Sequence, residues 1–233
     1  MKLTNTHIEE LYKFTRQHYV YHYDVQSELV DHLANDIEEI SEASPKLSFE
    51  DARDKSFKKF GVFGFTDVVE KKKSQMTKKY FKIIFRFVKE WFRLPKIILT
   101  FLLFVSFYKL QIVQNAYYVY VSIYGFVLFL EVFIIIKNKK RSAKKFKETG
   151  KKWMFKEIIL INGILNSAFL LFYIFLYFMP NNATEFLLMG NFRRVFSAIF
   201  ITTILILGYI TLVVIPKKGE ELLQETYPEY KLV

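Results

Sequence analysis

Glu28, His32 and Asp36 recur at four-residue intervals. On a helix the three side chains therefore share one face. Carboxylate and imidazole groups at that spacing are the types that ligate a divalent metal. His18 and His22 form a second pair four residues apart, and no HExxH pattern accompanies either set. The simpler reading is a solvated or helix-packing face, with His32 bonded to a neighbouring backbone group or carboxylate. No metal is expected, and Glu28, His32 and Asp36 are the candidates if one binds.

Glu131 is the one carboxylate well inside a long apolar run. An ionisable group in a membrane is costly, so it is a functional candidate by default. Asn162, Asn166 and Ser167 lie on a neighbouring apolar run and can join Glu131 in one polar cluster between two helices. Such a cluster can pass a proton or an ion. More often it is interhelical glue, at about 0.6 kcal/mol per bond. Phosphate-cradling glycine loops, a serine nucleophile elbow and paired catalytic carboxylates are all missing from the sequence. The expectation is a protein that is not an enzyme and needs no cofactor.

The elements that must position these residues are mostly apolar helices. Runs at 96–113, 116–136, 158–179 and 195–215 each approach the ~20 residues that cross ~30 Å of hydrocarbon as a helix. Four such runs nearly adjacent exceed what the core of a soluble chain of 233 residues requires. The expectation is four membrane spans.

Charge supplies the orientation. Residues 137–156, KNKKRSAKKFKETGKKWMFK, are half Lys and Arg, and they connect the second and third runs. Residues 61–96, before the first run, carry a net charge of +7, and Lys217 and Lys218 follow the fourth. The opposite connections hold only Gln114–Asn115 and a loop, 180–194, whose cations are Arg193 and Arg194. Lys and Arg flanking spans stay on the cytoplasmic side. Both termini are therefore expected in the cytoplasm, with the chain in the cell membrane. Lys139, Lys140, Arg141, Lys144 and Lys145 would face anionic lipid headgroups, each worth about 1 kcal/mol near the surface. Nucleic acid is not an expected partner, because this basic segment lies between spans.

Residues 1–76 read as a small acidic head of short helices. Val25, Leu29, Leu33, Ile37 and Ile40 recur at helical spacing, with Asp24 in an N-cap position. Ser48 with Asp51 resembles a capping box for the next helix, which Gly61 ends. Thr66 caps a fourth stretch. Residues 77–95 then form a basic amphipathic helix, with Phe81, Ile84, Phe85, Val88 and Phe92 on one face and Lys78, Lys82, Arg86, Lys89 and Arg93 on the others. That composition suits the membrane interface. Pro95 marks the bend into the first span.

The head also resembles a known family. ELVDHL at 28–33, SFEDARDKSFKKFG at 48–61 and FTDVVEKK at 65–72 are similar to the HAAS-type domain. That is a small helical module placed before transmembrane helices in bacterial membrane proteins, often beside transcriptional regulators of the PadR type. Glu28, Leu29, Asp31, His32, Leu33, Ala52, Phe60 and Gly61 carry the resemblance. It implies a signalling or partner-binding role and no chemistry.

The whole is expected to be an all-α chain: a cytoplasmic head (1–76), an interfacial helix (77–95), four spans (96–215) with a basic cytoplasmic loop (137–157), and a cytoplasmic tail (216–233). The leading expectation for function is a regulatory or adaptor protein whose head binds a cytoplasmic protein partner. The alternative is a small transporter, or a subunit of one, built around Glu131. The sequence leaves the oligomeric state open.

Overall fold

The computed structural model describes residues 2–162, 173, 180, 182–227 and 230. These are helices and connections, and no strand occurs among the described residues. The chain divides into two compact units: residues 1–78 with 145–157, and residues 79–144 with 158–233.

The first unit is the head. Helix α1 (Asn5–Gln17) starts with a capping box, in which Thr4 Oγ1 accepts from His7 N–H and His7 Nδ1 accepts from Thr4 N–H. Helix α2 (Tyr23–Ala43) buries Val25, Leu29, Leu33, Ile37 and Ile40, the stripe its period predicts. Helix α3 (Phe49–Lys58) is capped by Ser48 Oγ, which accepts from Asp51 N–H at 3.1 Å. Leu11, Phe14, Ala52 and Phe65 complete the core. Around Phe14 the rings of Phe57 and Phe65 pack edge-on at 5.3 and 6.2 Å, a favoured aromatic geometry.

Asp24 is not the N-cap of α2. The helix starts two residues earlier, at Tyr23, with His22 in the cap position and no side-chain cap bond. The Asp24 carboxylate instead accepts the backbone N–H of Met154 at 3.1 Å.

Helix α4 (Thr66–Trp91) is one continuous helix of 26 residues, and the division between the two units, 78/79, falls within it. It meets α5 (Lys96–Leu110) at an 87° bend, with Pro95 at the turn as expected. Helix α6 (Ala116–Thr149) runs 34 residues, about 51 Å at 1.5 Å per residue. Most of the basic segment expected as a loop is therefore helix. Lys, Arg, Ala and Glu are good helix formers, and the first residue that stops them is Gly150, at φ 65°. Lys139, Lys140, Arg141 and Lys144 are exposed on α6 and Lys145 is half-buried.

In the second unit α5 packs against the helix Asn191–Tyr209. That helix continues through a π-turn, Ile210–Val214, to Lys217. Ala116, Tyr120, Tyr124 and Val127 of α6 form a core with Phe186, Met189, Ile201 and Ile204. A last short helix, Gly219–Thr226, carries Leu222 and Leu223 into the interior.

Among the described residues two helices, Ala116–Thr149 and Asn191–Lys217, are long and apolar enough to cross a membrane, and a third span arises if the bent α4–α5 pair counts as one. The first expected run is realised as 15 residues, about 22 Å of helix, which is short for hydrocarbon by itself. The third, 158–179, falls mostly outside the described residues.

Candidate functional site

The residues with chemistry divide between the two units. On α2 Glu28, His32 and Asp36 do share a face, and they line a groove of about 320 Å³ closed by Ser56, Lys59 and Phe60 with Val68. Lysines occupy both carboxylates. Lys72 Nζ lies 2.5 Å from Glu28, and Lys59 Nζ bonds Asp36. Burial pushes the Asp36 carboxyl up, but hydrogen bonds from Lys59 and Ser56 outweigh it and hold the group below its ordinary value. A metal ion at this face would have to displace two ammonium groups. Among the described residues no three His, Cys, Asp or Glu side chains gather at one point.

His18 and His22, the pair four residues apart, part company. His18 is held by its Nδ1 contact to the Phe14 carbonyl at 2.9 Å and by the rings of Phe14 and Phe57. His22 faces a segment 135 residues away, with its Nε2 at 3.0 Å from Glu157 Oε2. It is part of a polar assembly that also includes Asp24 and Lys152.

That assembly holds a strap, residues 151–157, against the N-terminal end of α2. The backbone N–H of Tyr23 donates to the Lys152 carbonyl at 2.7 Å. Met154 N–H donates to Asp24. Lys152 Nζ reaches Glu157 at 2.6 Å, and Lys151 Nζ sits 4.4 Å above the Tyr23 ring, within cation–π range. Between these polar contacts Trp153, Met154 and Phe155 are 5%, 2% and 0% exposed. The apolar residues drive the docking and the hydrogen bonds fix its register. Hydrogen bonds from His22 and then Lys152 pull the Glu157 carboxyl down to about 2, against the opposing effect of burial.

In the second unit Glu131 is fully buried on α6. Asn166, Ser167 and the side chain of Asn162 lie outside the described residues. An open groove of about 870 Å³ runs between α6 and the helix 191–217, with Ile123, Phe126, Leu130, Leu205 and Leu212 among its walls. Glu131 does not line it.

A polar knot unexpected from the sequence ties the ends of three segments of this unit. Buried Gln111 donates from Nε2 to the Tyr120 hydroxyl at 3.1 Å and to the Arg194 carbonyl at 3.0 Å. Tyr120 donates in turn to the Phe107 carbonyl at 2.8 Å. The Arg194 guanidinium donates to the carbonyls of Met189 and Leu187, satisfying groups that the end of helix Ala183–Leu187 leaves open.

Helix α4 has three faces where two were expected. Phe81 and Phe85 are exposed on α4, as is Phe92 just past its end, as a lipid-facing stripe would be. The cations Lys78, Lys82, Arg86 and Lys89 take a second sector at the helical period, and Arg93 follows the helix end. Tyr80, Ile83 and Phe87 form a third, buried sector. The signal for it was their own i, i+3, i+7 spacing.

The chain matches no protein-family model, no curated protein and no solved structure.

Proposed function

We propose that this is a multi-pass membrane protein of the regulatory or adaptor kind, without enzymatic activity, whose head binds a protein partner in the cytoplasm. The observation that carries the reading is the strap. A segment that follows a candidate membrane helix directly, and precedes a further apolar run, is folded into the core of a separate helical unit. An event that moves the flanking helices pulls on the head through that segment, and a partner bound to the head acts on them in return. The resemblance of the head to HAAS-type domains points the same way.

On this reading the chain spans the cell membrane four times with both termini in the cytoplasm. The exposed aromatic stripe of α4 lies in the interface, with its lysines toward anionic headgroups. The cationic turns of α6 extend beyond the hydrocarbon, which a helix of about 51 Å requires.

Full burial of Glu131 within an apolar helix favours a second reading, transport. Against it stands the neighbouring groove, whose lining is mostly apolar and does not include Glu131, since an ion path needs polar groups along its length.

The test is crosslinking in cells. Deleting residues 1–76 is a poor variant, because it strips the cover from Trp153, Met154 and Phe155. Photo-reactive residues at His32 and Phe60, which line the head groove, and at exposed Glu10 on α1 probe the intact chain. One protein captured from both groove positions and not from Glu10 supports the adaptor reading. Capture of nothing at the groove, together with solute uptake by reconstituted vesicles that Glu131→Gln abolishes, replaces it with transport.

A further inference from the structure

Two loops at one end of the head carry apolar side chains that the fold leaves uncovered. Tyr19 and Tyr21, between α1 and α2, are 77% and 59% exposed, and Val62 and Phe63, between α3 and α4, are 98% and 71% exposed. The loops are neighbours. The ring of His18, next to Tyr19, lies 4.5 Å from that of Phe57 and 5.9 Å from that of Phe65, the residues on either side of the second loop.

The backbone presents these side chains outward. Gly61 and Gly64 bracket Val62 and Phe63 at φ 77° and 55°, and a Cβ on Gly64 would sit 2.9 Å from the Phe57 ring. Tyr19 adopts φ 63°. Its N–H donates to the Arg16 carbonyl and that of Val20 to the Thr15 carbonyl, the Schellman pattern that ends α1. Glycine is the usual residue at that left-handed position. A tyrosine there is a strained choice whose exposed ring the fold does not need, and strain of this kind gathers at functional positions.

The chain itself indicates what meets this end. Tyr21 precedes His22, which bonds Glu157, and the next residue, Ile158, opens an apolar run. Arg16 and Lys58 are exposed beside the two loops, and Lys151 lies over Tyr23. Apolar tips with tyrosines among cations match the chemistry of a bilayer interface, where Tyr sits at headgroup depth and Lys and Arg attract anionic lipid.

We propose that the Tyr19, Tyr21, Val62 and Phe63 surface seats the head on an anionic bilayer, with Val62 and Phe63 entering the interface. The proposal rests on the reading of the chain as embedded in a membrane. The chain has no cysteine, so single labels are clean. Val62→Cys, Glu42→Cys and Phe126→Cys full-length proteins would each carry an environment-sensitive fluorophore. They would be reconstituted into vesicles of phosphatidylcholine with phosphatidylglycerol that contain nitroxide lipids. Glu42 is exposed at the far end of α2, about 30 Å from Tyr21 along the helix, and Phe126 is exposed on α6.

The expected result is blue-shifted emission at Val62, with headgroup nitroxide quenching it several-fold more than the Glu42 label, and weaker quenching without phosphatidylglycerol. Equal quenching at Val62 and Glu42 overturns the proposal. So does a blue shift at Val62 that lipid nitroxides leave untouched, since a protein then covers the surface. Quenching of the Phe126 label by acyl-chain nitroxide separates the two claims. With it intact only the docking proposal falls, and without it the membrane reading falls as well.

Discussion

His22 and Lys152 converge on one oxygen of Glu157, the His22 Nε2 at 3.0 Å and the Lys152 Nζ at 2.6 Å. The contact closes the strap onto α2 and gives the head a titratable fastening. The Glu157 carboxyl is depressed from 4.5 to about 2. A depressed carboxyl stabilises the folded state fully above its unfolded value and loses that contribution as pH falls through its folded value. The fastening is therefore intact at neutral pH, weakens below about 4.5 and is lost through about 2. In a Trp91→Phe background, Trp153 emission reports the strap. It should shift to the red as the pH falls across this window. Glu157→Gln should remove that acid transition while exposing the Lys151–Lys152 bonds to trypsin at neutral pH. An acid transition unchanged by the substitution would show that other groups release the strap.

The left-handed tyrosine makes a prediction about stability that runs opposite to most substitutions. An L side chain in this conformation costs about 1–2 kcal/mol, which glycine avoids. Glycine also loses more chain entropy on folding, about 0.5–1 kcal/mol. Tyr19→Gly should therefore leave the head unchanged or more stable by up to about 1 kcal/mol, a rise in Tm of several degrees. Tyr19→Ala keeps the strain, loses the ring and should gain nothing. Thermal unfolding of the two variants side by side decides the matter, and an alanine variant as stable as the glycine one would remove strain as the cause.

What the sequence made legible follows from how local each signal is. The apolar period of α2 named its buried residues, Ser48 named the start of α3, and Pro95 lies at the 87° bend. The strap was not legible. Trp153, Met154 and Phe155 stand between a basic run and an apolar run, and the partners that bury and bond them lie about 130 residues upstream. Asp24 departs from its local signal for the same reason, since its carboxylate accepts a distant N–H instead of capping its own helix. The continuation of α6 past Lys137 did have a local signal, a Lys-rich series with no Gly or Pro before Gly150. The positive charge of that series bears on the side of the membrane and not on its secondary structure. For the site, Glu28, His32 and Asp36 share the face their spacing implies. The lysines that occupy it come from α4 and the turn after α3, and no spacing within α2 announces them.

Gln111 shows how a polar group at the end of an apolar run can be structural. Its Nε2 makes two bonds to acceptors, the Tyr120 hydroxyl and the Arg194 carbonyl, so the amide orientation is set. Its Oε1 is buried without a hydrogen-bond partner among the described residues. Breaking the knot from the Tyr120 side leaves the Phe107 carbonyl without its donor, which costs more than removing both partners together. The single variants Tyr120→Phe and Gln111→Met should each lower stability, and the double variant should lose less than their sum. Polar pairs in membrane helices average about 0.6 kcal/mol of coupling and reach about 1.7. The coupling here should fall in that range, because one amide serves two segments. Reversible unfolding of the four proteins in mixed micelles measures it. Strictly additive losses would mean that apolar packing around Tyr120, Phe186 and Ile201 holds these helix ends without help from the hydrogen bonds.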